Sequence, residues 1–223
     1  MISAITSSYL VYLAVTVGVP LLAVALCYRA VLSDRESGEL DVLRTFDVSR
    51  PAYVGGVYLG RGLAVALVVF GSLLAAGATV PMLSPPDPTF LALNEAADSP
   101  VAFLRFSVLA VLFALAVAAV ALAVSAAART ARQAIALAVG LLVAFVVGVD
   151  AAAIAGLASG TFGVDAVPLA LAVSPNGAFR SLVLGVAVET GGAGSPVAAL
   201  AGLVGWVVVA LAVAVLTAWR PVE

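Results

Sequence analysis

The chain has 223 residues, of which 64% are hydrophobic and only 10% are charged, and its formal net charge is −2. An ordinary soluble domain is roughly 45–50% apolar and about 25% charged, so this composition excludes a soluble enzyme and a disordered chain. The small net charge and the absence of any run of basic residues exclude a nucleic-acid-binding module. The composition therefore predicts an integral membrane protein.

The residue types that the chain lacks exclude most catalytic and metal-binding chemistry. It has no histidine and no lysine, and all ten cationic side chains are arginines. Without lysine there is no standard phosphate-binding P-loop, and without histidine there is no Ser-His-Asp triad or HExxH zinc site. Cys27 is the single cysteine, which excludes an intrachain disulfide. We therefore expect no catalytic residue, cofactor site or metal site on this chain.

Long stretches without charged residues predict about five transmembrane helices, because a helix needs about 20 apolar residues to cross a bilayer. The predicted spans are about 9–31, 56–80, 103–127, 133–157 and 197–219. A further apolar region, 160–188, is interrupted by prolines and charged residues and predicts a re-entrant or interfacial segment. The predicted fold is a single all-α transmembrane domain over residues 1–223.

The distribution of arginines orients this domain by the positive-inside rule. Most arginines flank the first and third connections or lie in the tail: Arg29, Arg35, Arg44, Arg50, Arg61, Arg129, Arg132 and Arg220. These connections are therefore predicted to be cytoplasmic. The N-terminus is predicted to lie outside a cell membrane that the chain crosses several times, and the C-terminus in the cytoplasm.

The first connection, 33–51, is rich in charge and predicts a short amphipathic helix. It reads SDRESGELDVLRTFDVSRP, and Ser37-Gly38 interrupts the first helix as it leaves the membrane. The predicted helix has Leu40, Leu43 and Phe46 on one broad face, with polar positions at Glu39, Asp41 and Arg44. A helix this short is marginal in water, so it must dock on the membrane surface, the bundle or a partner. The alternative is an ordinary solvated loop.

The stretch DRESGELDVLRTFDVSRPAYVGGVYLGR resembles the first intracellular loop of ABC-2 type transporter permeases. It is similar to the branch that includes the membrane subunit of the nitrous-oxide-reductase copper-maturation transporter. The residues that fit the family pattern are Glu36, Gly38, Leu40, Leu43, Val48, Ser49, Arg50, Gly56 and Gly60. Val57 and Asp47 depart from it, standing where the family usually has lysine and proline. Ser174-Pro175-Asn176 is a second match, at a place where the family has a broken or re-entrant helix.

The resemblance also implies an N-terminal difference. Permeases of this family usually begin with an amphipathic helix, a first span and a large outer loop. This chain begins at what would be the family's second span, so we expect either a shortened homologue or a chain that lacks its first part.

The resemblance implies a transport subunit and not an enzyme. Two permease copies would pair as a homodimer or heterodimer within membrane lipid, and each would bind a separate ATPase subunit that holds ATP and Mg. The short helix in 33–51 would be the coupling helix. The implied coupling residues are Glu36, Gly38, Glu39, Leu40, Asp41, Leu43, Arg44, Phe46, Ser49 and Arg50. Transport would be export or maturation transport; the alternative is a membrane scaffold or assembly subunit without transport.

Asp150 is the one acidic residue that we expect deep within a predicted span, with no neighbouring cation in the sequence. Ionisable groups at membrane depth are candidates for function. Asp150 is therefore a candidate for the transport path, and the alternatives are a structural pair with an arginine or an interfacial position.

Overall fold

The computed structural model describes residues 2–83, 100–144, 151, 155–156, 159–160, 174–187 and 195–219, and every regular element in these ranges is helical. The helices are α1 Ile2–Cys27, α2 Ala30–Glu36, α3 Glu39–Thr45, α4 Arg50–Leu83, α5 Pro100–Ala127, α6 Ala131–Val143, α7 Pro175–Leu182 and α8 Pro196–Thr217. A π-helical turn, Val183–Ala187, continues α7.

Four stretches of the described chain are helical, long and apolar enough to cross a membrane. These are Val15–Glu36, Arg50–Ala78, Pro100–Ala127 and Pro196–Thr217. The shorter α6 is also apolar and covers the first part of the predicted span 133–157, most of whose second half lies outside the described residues. The prediction of an all-α integral membrane protein is confirmed.

Helix α5 is the centre of the bundle and packs against α1, α4, α7 and α8. Most of its side chains are buried, and many are alanines, which let neighbouring helix backbones approach closely in lipid. In the middle of α5, Phe113 stacks on Phe179 of α7 with ring centroids 4.8 Å apart. In contrast, α4 and α8 keep large apolar side chains such as Leu59 and Leu216 exposed, as expected for helices that contact lipid.

A buried serine stabilises the break between α1 and α2. The first helix ends at Cys27, and the chain turns at Arg29, so the first N–H groups of α2 have no partner in their own helix. The Ser125 hydroxyl of α5 accepts hydrogen bonds from the N–H groups of Val31 at 3.0 Å and Leu32 at 3.2 Å. The turn is thereby fixed to the central helix.

We expect Ser125→Ala to lower the free energy of unfolding by about 1–3 kcal/mol, because it leaves buried N–H donors without an acceptor. Ser107→Ala is the matched control. Ser107 is equally buried in α5, but its hydroxyl only donates to the Phe103 carbonyl of its own helix. Thermal unfolding in detergent measures both variants, and equal losses would contradict this role for Ser125.

Candidate functional site

The short helix α3 is preceded by a glycine at which the chain turns. Gly38 has φ 78°, a left-handed conformation that favours glycine, and it separates α2 from α3. The helix ends at Thr45, and Asp47, at φ 55°, turns the chain toward α4. The Ser49 hydroxyl accepts a hydrogen bond from the N–H of Ala52 at 3.4 Å at the start of α4. The predicted interruption at Ser37-Gly38 and the helix that follows it are therefore present.

The apolar side chains of α3 face in two directions. Leu40 is only 2% exposed, and Leu43 is half-buried against the same core. Val42 and Phe46 point away, with 58% and 72% of their surfaces exposed. The prediction that Leu40, Leu43 and Phe46 share one face is wrong for Phe46. This residue follows the last helical residue and therefore leaves the helical repeat.

One arginine joins α2 to the ends of two long helices. The Arg35 guanidinium donates to the carbonyls of Ala126 and Ala128 at the end of α5, both at 3.0 Å. It also donates to the carbonyls of Thr217 and Ala218 at the end of α8, at 3.3 and 2.8 Å. The last carbonyls of a helix have no partner within it and carry partial negative charge. Arg35 therefore neutralises and links both helix ends; we call this contact the Arg35 clamp.

A second contact ties α3 directly to α8. Arg44 donates to the Trp219 carbonyl at 3.1 Å, and its guanidinium carbon lies 5.3 Å from the centroid of the Trp219 ring. The guanidinium carbon of Arg50, at the start of α4, lies 5.2 Å from the same ring. Both distances are within the range of cation–π attraction. Trp219 thus joins the ends of α3, α4 and α8.

The acidic residues of the site have different environments. Glu36 accepts from Arg29 at 2.7 Å, and Asp41 pairs with Arg44 at 3.1 Å within α3. Glu39 is exposed at the first turn of α3. Because these are surface ion pairs, each contributes little to stability, about 0–1 kcal/mol. The exposed side of α3 thus carries the apolar side chains of Val42 and Phe46 together with the acidic side chains of Glu39 and Asp41.

Ten residues were predicted to form the coupling site, and all lie on α3 or the segments that flank it. The structure joins Arg44 and Arg50 through Trp219, and it buries Leu40 within the chain's own core. Sequence reasoning missed Val42, Trp219 and Arg35 as part of this site. The clamp leaves no signature in residue types, because the four acceptors described above are backbone carbonyls.

Asp150, the candidate for the transport path, lies outside the described residues. In the part of the chain that the structure describes, no group of three or more Asp, Glu, Cys or His side chains could hold a metal ion.

Comparison with known protein families gives one match over nearly the whole chain. The model of the family described as "ABC-2 family transporter protein" matches residues 2–220. No curated protein matches the chain.

Proposed function

The chain belongs to the ABC-2 transporter family and is a permease subunit of an ABC transporter, and on this premise we propose that α3 is its coupling helix. A separate partner chain would bind ATP and Mg and hydrolyse the nucleotide, since a chain without lysine has no standard P-loop. The permease would use that energy for export or maturation transport across the cell membrane. Two permease copies would pair in the assembly, with the C-terminus and α3 in the cytoplasm.

The observation that carries this proposal is the two-sided packing of α3. Leu40 and Leu43 hold the helix on the bundle, while Val42 and Phe46 remain exposed at the same end of the molecule. Exposed aromatic and aliphatic side chains surrounded by polar groups are typical of the anchors of protein interfaces. We therefore assign the contact with the ATPase to Val42 and Phe46, with Glu39 and Asp41 at its rim.

The Arg35 clamp and the Trp219 contact give this docking a route into the membrane. A force on α3 acts on α2 through the chain at Gly38 and on α8 through Arg44. Arg35 then connects α2 to the ends of α5 and α8. Because the guanidinium is planar and its donors have fixed directions, we propose that the ends of α5 and α8 move with α3 when the ATPase closes.

The second candidate, a membrane scaffold without transport, would use the same surface to bind a partner but would not change that partner's ATP turnover. The family match favours the permease. Stimulation of ATP turnover by the bound permease separates the two candidates.

Site-directed cross-linking tests the ATPase contact. Cys27 is buried and is the single cysteine of the chain, so Phe46→Cys introduces one accessible thiol. We expect a benzophenone attached there to capture, in native membranes, a protein that carries a P-loop. The control is Val197→Cys, an exposed position at the start of α8. Capture of no P-loop protein at position 46, or of the same proteins at both positions, would contradict the proposal.

A further inference from the structure

A polar groove lies between the α1–α2 turn and α4. Its volume is about 290 Å³, and it is lined by Ala30, Asp34, Val57, Gly60 and Arg61. This is at the lower end of the ~300–1,000 Å³ of small-molecule sites. The groove is open on one side, and it carries one acidic and one basic side chain. Neither Val42 nor Phe46 lines it, so binding there is independent of the proposed coupling function.

The groove lies at the depth of lipid headgroups. From Gly62 to the end of α4 at Leu83 the chain carries no charge. At ~1.5 Å per residue this stretch crosses the ~30 Å hydrocarbon core, which places Arg61 at its edge. On the other wall, Asp34 is among the charges that follow the uncharged α1. Both charged side chains therefore face the zone where membrane and water meet.

The two charges of the groove do not neutralise each other. Asp34 is half-buried and accepts a hydrogen bond from the Tyr53 hydroxyl at 2.7 Å, and Arg61 donates to the Leu26 carbonyl at 3.2 Å. Neither forms an ion pair with another residue of the described ranges. A carboxylate held by a tyrosine and a guanidinium held by a backbone carbonyl thus stand on opposite walls, each with capacity for a ligand of opposite charge.

We infer that this groove binds the headgroup of an aminophospholipid, with the phosphate on Arg61 and the primary ammonium on Asp34. Guanidinium–phosphate contacts are strong, charge-assisted hydrogen bonds. A primary ammonium has three N–H donors for a carboxylate. The acyl chains have a path along exposed positions of α4 above Arg61: Ala64 and Val68 follow it at helical spacing. The ligand is a membrane phosphatidylethanolamine and not a free phosphate ester.

Lipid titration of the full chain in detergent, read by native mass spectrometry, tests this site with phosphatidylethanolamine, phosphatidylcholine and phosphatidylglycerol. Phosphatidylcholine has no N–H donor, and phosphatidylglycerol has no ammonium. We expect phosphatidylethanolamine to bind about tenfold more tightly than either, the difference made by one or two hydrogen bonds to a charged group. Equal binding of the three lipids would overturn the inference.

Two variants separate the two walls of the groove. Asp34→Asn keeps an acceptor for Tyr53 and should reduce phosphatidylethanolamine binding to the level of phosphatidylcholine. Arg61→Gln keeps a donor for the Leu26 carbonyl and should weaken all three lipids about tenfold. The matched controls, Asp47→Asn and Arg132→Gln, remove exposed charges outside the groove and should change nothing.

Size-exclusion chromatography verifies that each variant is folded. If Arg61→Gln does not fold, the comparison of Asp34→Asn with Asp47→Asn still decides the test. Loss of lipid preference in the control variants would overturn the inference. Binding of soluble glycerophosphoethanolamine as tightly as the lipid would overturn the membrane source of the ligand.

Discussion

Replacing Arg35 by lysine is expected to lower the free energy of unfolding by about 2 kcal/mol and to reduce permease-stimulated ATP turnover at least about tenfold. The guanidinium contacts four carbonyls on two helix ends at 2.8–3.3 Å. A lysine ammonium is a point charge that cannot reproduce this planar fork. Because the variant keeps the positive charge, its reduced stability and turnover report the lost hydrogen-bond geometry and not a lost charge.

The reduced turnover follows from the position of the clamp. Arg35 lies between α3, where the ATPase is proposed to bind, and the ends of α5 and α8. Without the clamp, α3 can move while the two long helices stay in place. Binding of the ATPase should therefore be retained within about threefold, because Arg35 holds carbonyls at the ends of α5 and α8, whereas the proposed contact is made by Val42 and Phe46.

Arg29→Lys is the matched control for the clamp. Arg29 lies at the same end of the bundle, and among the described residues its side chain forms an ion pair with Glu36 alone, in a partly exposed position. We expect Arg29→Lys to change the free energy of unfolding by less than about 1 kcal/mol and to leave ATP turnover normal. Chemical or thermal unfolding and an ATP-turnover assay with the partner measure both variants. Equal behaviour of Arg35→Lys and Arg29→Lys would contradict the clamp.

Phe46→Glu is expected to weaken the affinity for the ATPase at least about 30-fold while leaving the thermal stability of the bundle unchanged. A central aromatic anchor of an interface typically contributes 2 kcal/mol or more on truncation. Phe46 is 72% exposed, so a charge there has no cost in the free permease. Val42→Glu should act in the same direction.

The control for this variant is Ser33→Glu, which adds the same charge on the exposed side of α2. It should leave affinity within about threefold of the original chain, since it lies outside the proposed contact. Leu43 is a poor probe, because it is half-buried against the core and a glutamate there would also change stability. Normal affinity in Phe46→Glu would contradict the assignment of this surface.

The course of the helices was largely readable from the sequence, for a physical reason. Lipid imposes a length and an absence of charge on every spanning helix, and both are visible in residue types. The short α3 was equally visible, because Ser37-Gly38 interrupts the chain and the next residues alternate apolar and charged types. The break between α1 and α2 could not be predicted, because Tyr28-Arg29 contains no glycine or proline. The residue that stabilises the break, Ser125, is also remote in the sequence.

The contacts of α3 with the bundle could not be predicted from the sequence. A helical repeat shows which residues share a face, but not which face meets the bundle. Leu40 and Val42 are both apolar residues of α3, and only the packing of α3 on the core buries the first and exposes the second. The Trp219 contact likewise depends on where α8 ends in space, 175 residues after Arg44.

The most direct test of the proposed coupling is a titration of the permease with its purified ATPase, in which ATP turnover is followed as the ATPase concentration rises. The original chain, Arg35→Lys and Phe46→Glu are compared. We expect Phe46→Glu to shift the half-maximal concentration at least about 30-fold with an unchanged plateau, and Arg35→Lys to lower the plateau with an unchanged half-maximal concentration. If both variants change the same quantity, or if neither variant changes the plateau or the half-maximal concentration, docking at α3 and transmission through Arg35 are not separate steps, which contradicts the proposed coupling.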